Sequence, residues 1–459
     1  MKNISIVITL ILLLFCTACA KNEDEQKPAP EFKLSIPENN AIDVSLSSSI
    51  EVVFNEEISL VSNHGITINH DPVNVEATSN KLVFAADLKS NTIYTIIILK
   101  GAVINAFDVP LDKNVTITFT TEEVIDDNSN IDNLSMEFIS DMGAGWNLGN
   151  TLDTKDADET AWGNPKASKE LIDAIRAKGF KTLRIPTTWQ YHMGAAPDYI
   201  IEEAWLDRVE EIVNYGLDNE MYVIVNIHHD EEWLIPTYAE VDRTKEQLGK
   251  VWTQIANRFK SYDNHLIFET LNETRLKGSA EEWNGGTSEG RDCINKFHKV
   301  AVEAIRTTGE MNADRYIMVS PYAASTTSHA LNDLVLPSSS HLIVSVHSYS
   351  PYKFSLAETD YTTTWGTEQE KQSLDSEFDK LVAKFISKGI PVVMGEWGSL
   401  NHDNLQNRIS HAKYYAKACI ERGICPIWWD NGNTEEFGII NRNNYQWVFP
   451  EIADAIVGE

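Results

Sequence analysis

From residue 145 onward the chain repeats one pattern, a short apolar run rich in β-branched residues followed by a longer stretch with apolar positions at helical spacing. The short runs fall at 145–148, 183–185, 222–227, 266–271, 316–319, 342–346, 392–394 and 425–428. Amphipathic stretches at 204–217, 247–260, 294–307, 378–388 and 409–422 separate most of them. Such alternation predicts a parallel sheet covered by helices. Eight runs in about 325 residues predict a (β/α)8 barrel rather than an open doubly wound sheet. No GxGxxG follows an early run, as dinucleotide binding would require.

The first part of the chain reads differently. Short β-branched segments at 50–54, 65–68, 81–84, 94–99 and 115–119 are broken by Asn, Ser, Gly and Pro, the pattern of an all-β sandwich. Hydrophilic seams bound it: 20–31, which holds Pro28 and Pro30, and the acidic 122–133. The expected organisation is therefore a linker 20–31, a sandwich 32–121, a linker 122–133 and a barrel 134–459. The run from Pro37 through Phe54 to Leu88, Tyr94 and Phe119-Thr120-Thr121 resembles a bacterial Ig-like domain. The module has no Trp, and its Tyr94 falls on the face expected to be buried, so a spacer is expected rather than a carbohydrate-binding module.

Residues 1–19 stand apart again. Lys2 gives a basic start, and 4–15 is an apolar run too short to span a bilayer as a helix of about 20 residues, so an export signal is expected. Cys16-Thr17-Ala18-Cys19 resembles the lipobox of bacterial lipoproteins, with Cys16 where Leu is usual. The acidic stretch 21–27 resembles the surface-export signal of Bacteroidetes lipoproteins. These resemblances imply a lipid anchor on Cys19 and an outer-membrane or cell-surface location. Cys293, Cys419 and Cys425 follow at no metal-binding spacing; buried thiols are expected, with a Cys419–Cys425 bridge as the alternative.

Charge narrows the partners. With 38 basic and 68 acidic side chains the formal net charge is −30, against a nucleic-acid partner, which needs a basic stripe. All 12 tryptophans lie in residues 146–447, inside the expected barrel.

In a barrel the reacting groups stand where strands end. Here those positions carry Asn147, Arg184, His228 with His229, Asn272 with Glu273, His347 with Tyr349, Glu396, and Trp429; only the run ending near Ser320 and Tyr322 looks unspecialised. Two glutamates suggest retaining glycoside hydrolysis, in which carboxyl groups about 5–5.5 Å apart act as nucleophile and acid/base. An ionised nucleophile needs a cation and a hydroxyl nearby, for which Arg184 and Tyr349 are candidates. The acid is expected to be raised in pKa by its charged partner. Asn272 suits a sugar 2-hydroxyl, and Trp429 offers a flat face for a pyranose ring.

These residues carry a resemblance. Gly145-Trp146-Asn147-Leu148-Gly149-Asn150, Arg184-Ile185-Pro186, Asn226-Ile227-His228-His229-Asp230, Phe268-Glu269-Thr270-Leu271-Asn272-Glu273, His347-Ser348-Tyr349, Gly395-Glu396-Trp397-Gly398 and Trp428-Trp429-Asp430-Asn431-Gly432 are similar to glycoside hydrolase family five. More narrowly they resemble its subfamily four, endoglucanases active on cellulose, mixed-linkage β-glucan and xyloglucan. The resemblance implies Glu273 as acid/base, Glu396 as nucleophile, and Arg184 and Tyr349 as supports of the nucleophile. It further implies Asn272 at the 2-hydroxyl, His228 and His347 around the reacting sugar, Trp429 as platform, and His229, Asn147 and Trp233 as glycone contacts. Adjacent strand residues face opposite ways, so only one of His228 and His229 is expected to point inward.

Thr274, Trp397 and Asn441 depart from the usual Pro, Phe and Asp, and none is a reacting group. His228, His229 and Asp230 have no third metal ligand at a suitable spacing, and no cofactor is expected. A monomeric endo-β-1,4-glucanase acting on β-glucan is expected, with mannanase, xylanase or non-catalytic glycan capture as alternatives.

Overall fold

The computed structural model describes residues 27–46, 48–86, 88–122 and 133–458. The expected signal 1–19 with Cys19, most of the acidic tether and nearly all of the 122–133 linker lie outside the described residues. The chain forms two compact units, one on either side of that linker.

The N-terminal unit is all β. One sheet runs Phe32–Ile36, Ile50–Phe54, Lys81–Ala85, Asn74–Thr78; a second runs Ala41–Val44, Val115–Thr121, Ile93–Ile98, Thr67–Ile68, Asp71–Pro72. Alternation sets the core. Ile50, Val52, Phe54, Leu82 and Phe84 of the first sheet are buried with Ile96, Ile98, Ile117 and Phe119 of the second. Tyr94 is buried as its strand position predicts, its ring stacked 5.4 Å from Phe119.

In the C-terminal unit eight parallel strands close into a barrel. We number them β1 (Gly145–Leu148), β2 (Thr182–Ile185), β3 (Tyr222–Asn226), β4 (Leu266–Glu269), β5 (Ile317–Val319), β6 (Leu342–His347), β7 (Val392–Trp397) and β8 (Ile424–Asp430). The covering helices begin earlier than apolar periodicity predicts. Ser288–Thr307 starts where the Thr287 hydroxyl accepts the Gly290 N–H, and Glu368–Lys384 starts on a capping box of Thr367 and Glu370. Their polar first turns bury little and leave no hydrophobic signal. Lys169–Ala177, unexpected from the sequence, is short but capped by Ser168 and buries Leu171, Ile172 and Ile175. Among the described residues no helix is long and apolar enough to cross a membrane.

The barrel interior changes character along its axis. Ile224, Ile267, Met318, Ile343, Val393, Cys425 and Ile427 form an apolar layer that packs on Ile139 and Met142 of the helix Asn133–Met142. Two residues further along the same strands, Asn226, Glu269 and Ser345 are buried polar groups. The period of two keeps both layers inward, so the polar layer lies directly above the apolar one and beneath the carboxyl ends. Cys293, Cys419 and Cys425 are free and buried.

Candidate active site

The polar layer is built around Arg184, a fully buried guanidinium on β2. Its Nε donates to Glu269 Oε2 (2.8 Å), Nη1 to Glu396 Oε1 (2.8 Å) and to Asn147 Oδ1 (2.9 Å), and Nη2 to Asn272 Oδ1 (2.7 Å). A cation so enclosed needs paired anions. Burial works against its charge, but Glu269 and Glu396 outweigh it and raise its pKa further. Glu269 was not singled out from the sequence, although an acid inside an apolar run is a detectable anomaly. It is completely buried and also accepts from Asn226 Nδ2 (2.8 Å) and Ser345 Oγ (2.7 Å).

Glu396 stands on β7 where the register shifts against both neighbours, against β6 after Val346 and against β8 after Met394. Such irregularities re-aim a side chain at a barrel rim. Its Oε2 accepts from the Tyr349 hydroxyl at 3.1 Å. Burial raises its pKa, and the Glu273 charge adds to this, while His347 and Arg184 pull it back. Burial and the same carboxylate push the Tyr349 hydroxyl far up, so it stays a donor.

Glu273 follows β4, its side chain 19% exposed and its Oε1 2.9 Å from His347 Nδ1. An oxygen of Glu273, an oxygen of Glu396 and a nitrogen of His347 all lie within 4.8 Å of one another. The sequence leads one to expect a raised pKa for Glu273; the structure corrects this. Burial does raise it, but the hydrogen bond and charge of His347 outweigh burial and lower it. Reciprocally, burial opposes charge on His347, yet Glu396 and Glu273 raise its pKa. Room for this ring comes from Gly395, where a Cβ would lie 3.0 Å from His347 Nε2.

His228, His229, Asn272, Glu273, Tyr349, Glu396 and Trp429 line one cleft of about 360 Å³. Both histidines reach it, against the expectation of one, because β3 ends at Asn226 and strand alternation no longer applies. Burial holds His228 well below its usual pKa. Both ring nitrogens face side-chain amides, Nδ1 that of Asn226 at 3.1 Å and Nε2 that of Asn272 at 3.4 Å. Trp429 lies parallel to His228 with centroids 6.0 Å apart. Gly149 permits this, since a Cβ there would come within 2.8 Å of the Trp429 ring.

Two expected glycone contacts are elsewhere. Asn147 is fully buried beneath the cleft, donating to the Gly395 carbonyl (2.9 Å), so it orients Arg184. Trp233 is buried in the main core with its indole N–H on Asp230 (3.1 Å). The fold also brings Asp153 within 4.8 Å of His228 and His229, a third ligand type invisible in the local spacing. Its oxygens accept the Asn150 and Thr151 N–H groups (3.0 and 2.7 Å).

Residues 147–435 match the family described as cellulase (glycosyl hydrolase family 5). The chain belongs to that family. Residues 26–121 match the bacterial Ig-like domain. Endoglucanase B of Clostridium cellulovorans is 50% identical over 331 residues, covering 70% of this chain and 75% of the relative. Cellulase/esterase CelE of Acetivibrio thermocellus is 48% identical over 329 residues, with 70% of this chain but only 40% of the relative covered. The structure of ZgEngAGH5_4 in complex with a cellotriose superposes with a TM-score of 0.69 at 61% identity, over 70% of this chain and 98% of that one. A GH5-4 broad specificity endoglucanase from Clostridium acetobutylicum gives 0.69 at 51% identity, over 70% and 99%.

Proposed function

We propose that this family 5 hydrolase is a subfamily-four endo-β-1,4-glucanase that retains anomeric configuration, with Glu396 as nucleophile and Glu273 as acid/base. The observation that carries the reading is the spacing of the two carboxylates, with oxygens within 4.8 Å and the His347 ring beside both. That separation suits a covalent intermediate and leaves no room for an intervening water, as inversion would need. Glu396 attacks the anomeric carbon while Glu273 protonates the departing glycosidic oxygen; Glu273 then takes a proton from the water that releases the sugar from Glu396.

Arg184 and Tyr349 keep the attacking carboxylate ionised, Asn272 faces the 2-hydroxyl, and Trp429 carries a sugar ring. Cellulose, mixed-linkage β-glucan and xyloglucan are the proposed substrates, supported by relatives named endoglucanase, lichenase and xyloglucan-specific endo-β-1,4-glucanase. The test is reducing-end release from each polymer, with the product anomer followed by NMR. A cellobiosyl residue trapped from a 2-fluoro glycoside belongs on Glu396; trapping on another side chain overturns the assignment.

The sequence Cys16-Thr17-Ala18-Cys19 supports export as a lipoprotein anchored through Cys19 at the outer membrane or cell surface, with the Ig-like module as spacer. Radiolabelled palmitate should enter the wild type and not Cys19→Ala; equal labelling of both would exclude that anchor.

A further inference from the structure

Among the described residues four arginines are buried, and three of them are answered. Arg184 meets two carboxylates, Arg442 meets Asp430 at 2.9 Å, and Arg315 is spent on Asn312 and four main-chain carbonyls. Arg408 is the exception. It lies fully buried on the helix Leu405–Glu421, and its Nε and Nη1 have no hydrogen-bond partner among the described residues. Nη2 donates to the Glu436 carbonyl at a long 3.5 Å, and the guanidinium carbon stands over the Phe449 ring, 5.0 Å from its centroid. A ring face returns only a fraction of what desolvating the ion costs.

Burial pushes the Arg408 guanidinium down to about 10, and the Asp430 charge restores only part of that loss. Asp430 is already committed, to Arg442 and to the Gly432 and Ile439 N–H groups (both 2.8 Å). His411, one turn along the same helix face, is neutral: burial, with Arg408 adding to it, holds it at about 4. The surroundings are rich in donors. Trp397 stacks on Tyr415 of the same helix and lies 6.3 Å from His411, while Trp365 lies 5.2 Å from His411. Both indole N–H groups, and the Ser399 hydroxyl two residues past Trp397, are buried without a partner among the described residues. The bare acceptor beside them is Nδ1 of His411, whose Nε2 gives its proton to the Ser350 carbonyl (3.0 Å).

We propose that the interior behind β7 holds a buried monovalent anion of chloride size, bound by Nε and Nη1 of Arg408, with the Trp397 indole N–H and the Ser399 hydroxyl as neutral donors beside it. One uncompensated cation calls for one negative charge, and a site closed to solvent takes only a small ion. Trp397 directly follows Glu396, so the ion buttresses the strand end that carries the nucleophile and enters no step of hydrolysis. The site stands on Arg408 and its surroundings, whatever polysaccharide is cleaved.

The first test is diffraction at the bromine edge from wild-type crystals grown in sodium bromide. An anomalous peak is expected within hydrogen-bond reach of Arg408 Nε and Nη1; water there with no peak overturns the proposal. The second is thermal unfolding of protein dialysed into sodium gluconate and titrated with sodium chloride at constant ionic strength. Gluconate is too large for the interior, so chloride should raise the midpoint saturably, by about 3 °C. A wild-type midpoint blind to chloride overturns the proposal too. Arg408→Met, which keeps length and drops the charge, should lose both the bromide peak and the chloride response; retention of either overturns the assignment to Arg408. Arg408→Lys keeps a charge without the planar fork and should need about tenfold more chloride for the same gain. If Arg408→Met does not fold, the two wild-type measurements decide alone.

Discussion

Nδ1 of His347 lies 2.9 Å from Oε1 of Glu273, so the two groups titrate as one unit. A proton added to this pair has two places to sit, and the pair therefore holds it to a higher pH than Glu273 could alone. The proton needed to expel the leaving group is drawn from that store. In His347→Gln the second place is gone. The alkaline limb of the kcat/KM profile should move to lower pH, while the acidic limb, set by ionisation of Glu396, should move to higher pH, because the imidazole 3.6 Å from Glu396 that lowers its pKa is gone. A pH–rate series on a soluble β-glucan reads both limbs; an alkaline limb that rises or stays put counts against the pair.

Glu396→Gln removes the attacking carboxylate without changing its shape, and turnover should fall to near background. Glu273→Gln loses proton transfer, worth about 10²–10⁴-fold in general acid catalysis. That loss should shrink on a dinitrophenyl cellobioside, whose leaving group needs no proton. Parallel assays on the aryl glycoside and on β-glucan separate the two roles.

The hidden anion Glu269 offers a third prediction. Glu269→Gln keeps the bonds to Asn226 and Ser345 sterically possible but deletes one of the two anions sharing Arg184. Arg184 then acts on Glu396 alone and a nearby negative charge is lost, both of which lower the Glu396 pKa. The acidic limb of activity should move to lower pH. Breaking a buried ion pair should also cost about 3–5 kcal/mol of stability. A lowered denaturation midpoint with an unmoved acidic limb would make Glu269 structural only.

Trp397 tests the scaffold behind the nucleophile. It is fully buried, stacked 4.2 Å from Tyr415 with an interplanar angle of 2°. Trp397→Ala should cost about 3–5 kcal/mol, measured by denaturant unfolding. Trp397→Phe, which restores the residue frequent at this position in the family, should lose much less.

Much of this was legible in the chain because barrel strands end in chemistry. Arg184, Glu273, His347, Tyr349, Glu396 and Trp429 each close or follow an apolar run, and the fold gathers them at one rim. What escaped was whatever depends on contacts across the barrel. Glu269 looks like one acid in a strand until Arg184 is seen beside it, and Asp153 reaches the histidines only through the loop after β1. The proton affinity of Glu273 was misjudged because the partner closest to it is an imidazole on β6, not the other carboxylate alone. Trp233 matched a position, yet three residues after Asp230 its ring turns back to that side chain and into the core.

The division of the barrel interior into an apolar layer and a polar layer has a consequence for how this hydrolase can be altered. Ile224, Ile267, Met318, Ile343 and Val393 form an apolar lower storey, so volume-conserving swaps there should retune heat tolerance and leave chemistry alone. The upper storey has no such slack: around Arg184 each side chain answers to a charge, and altering one resets its neighbours.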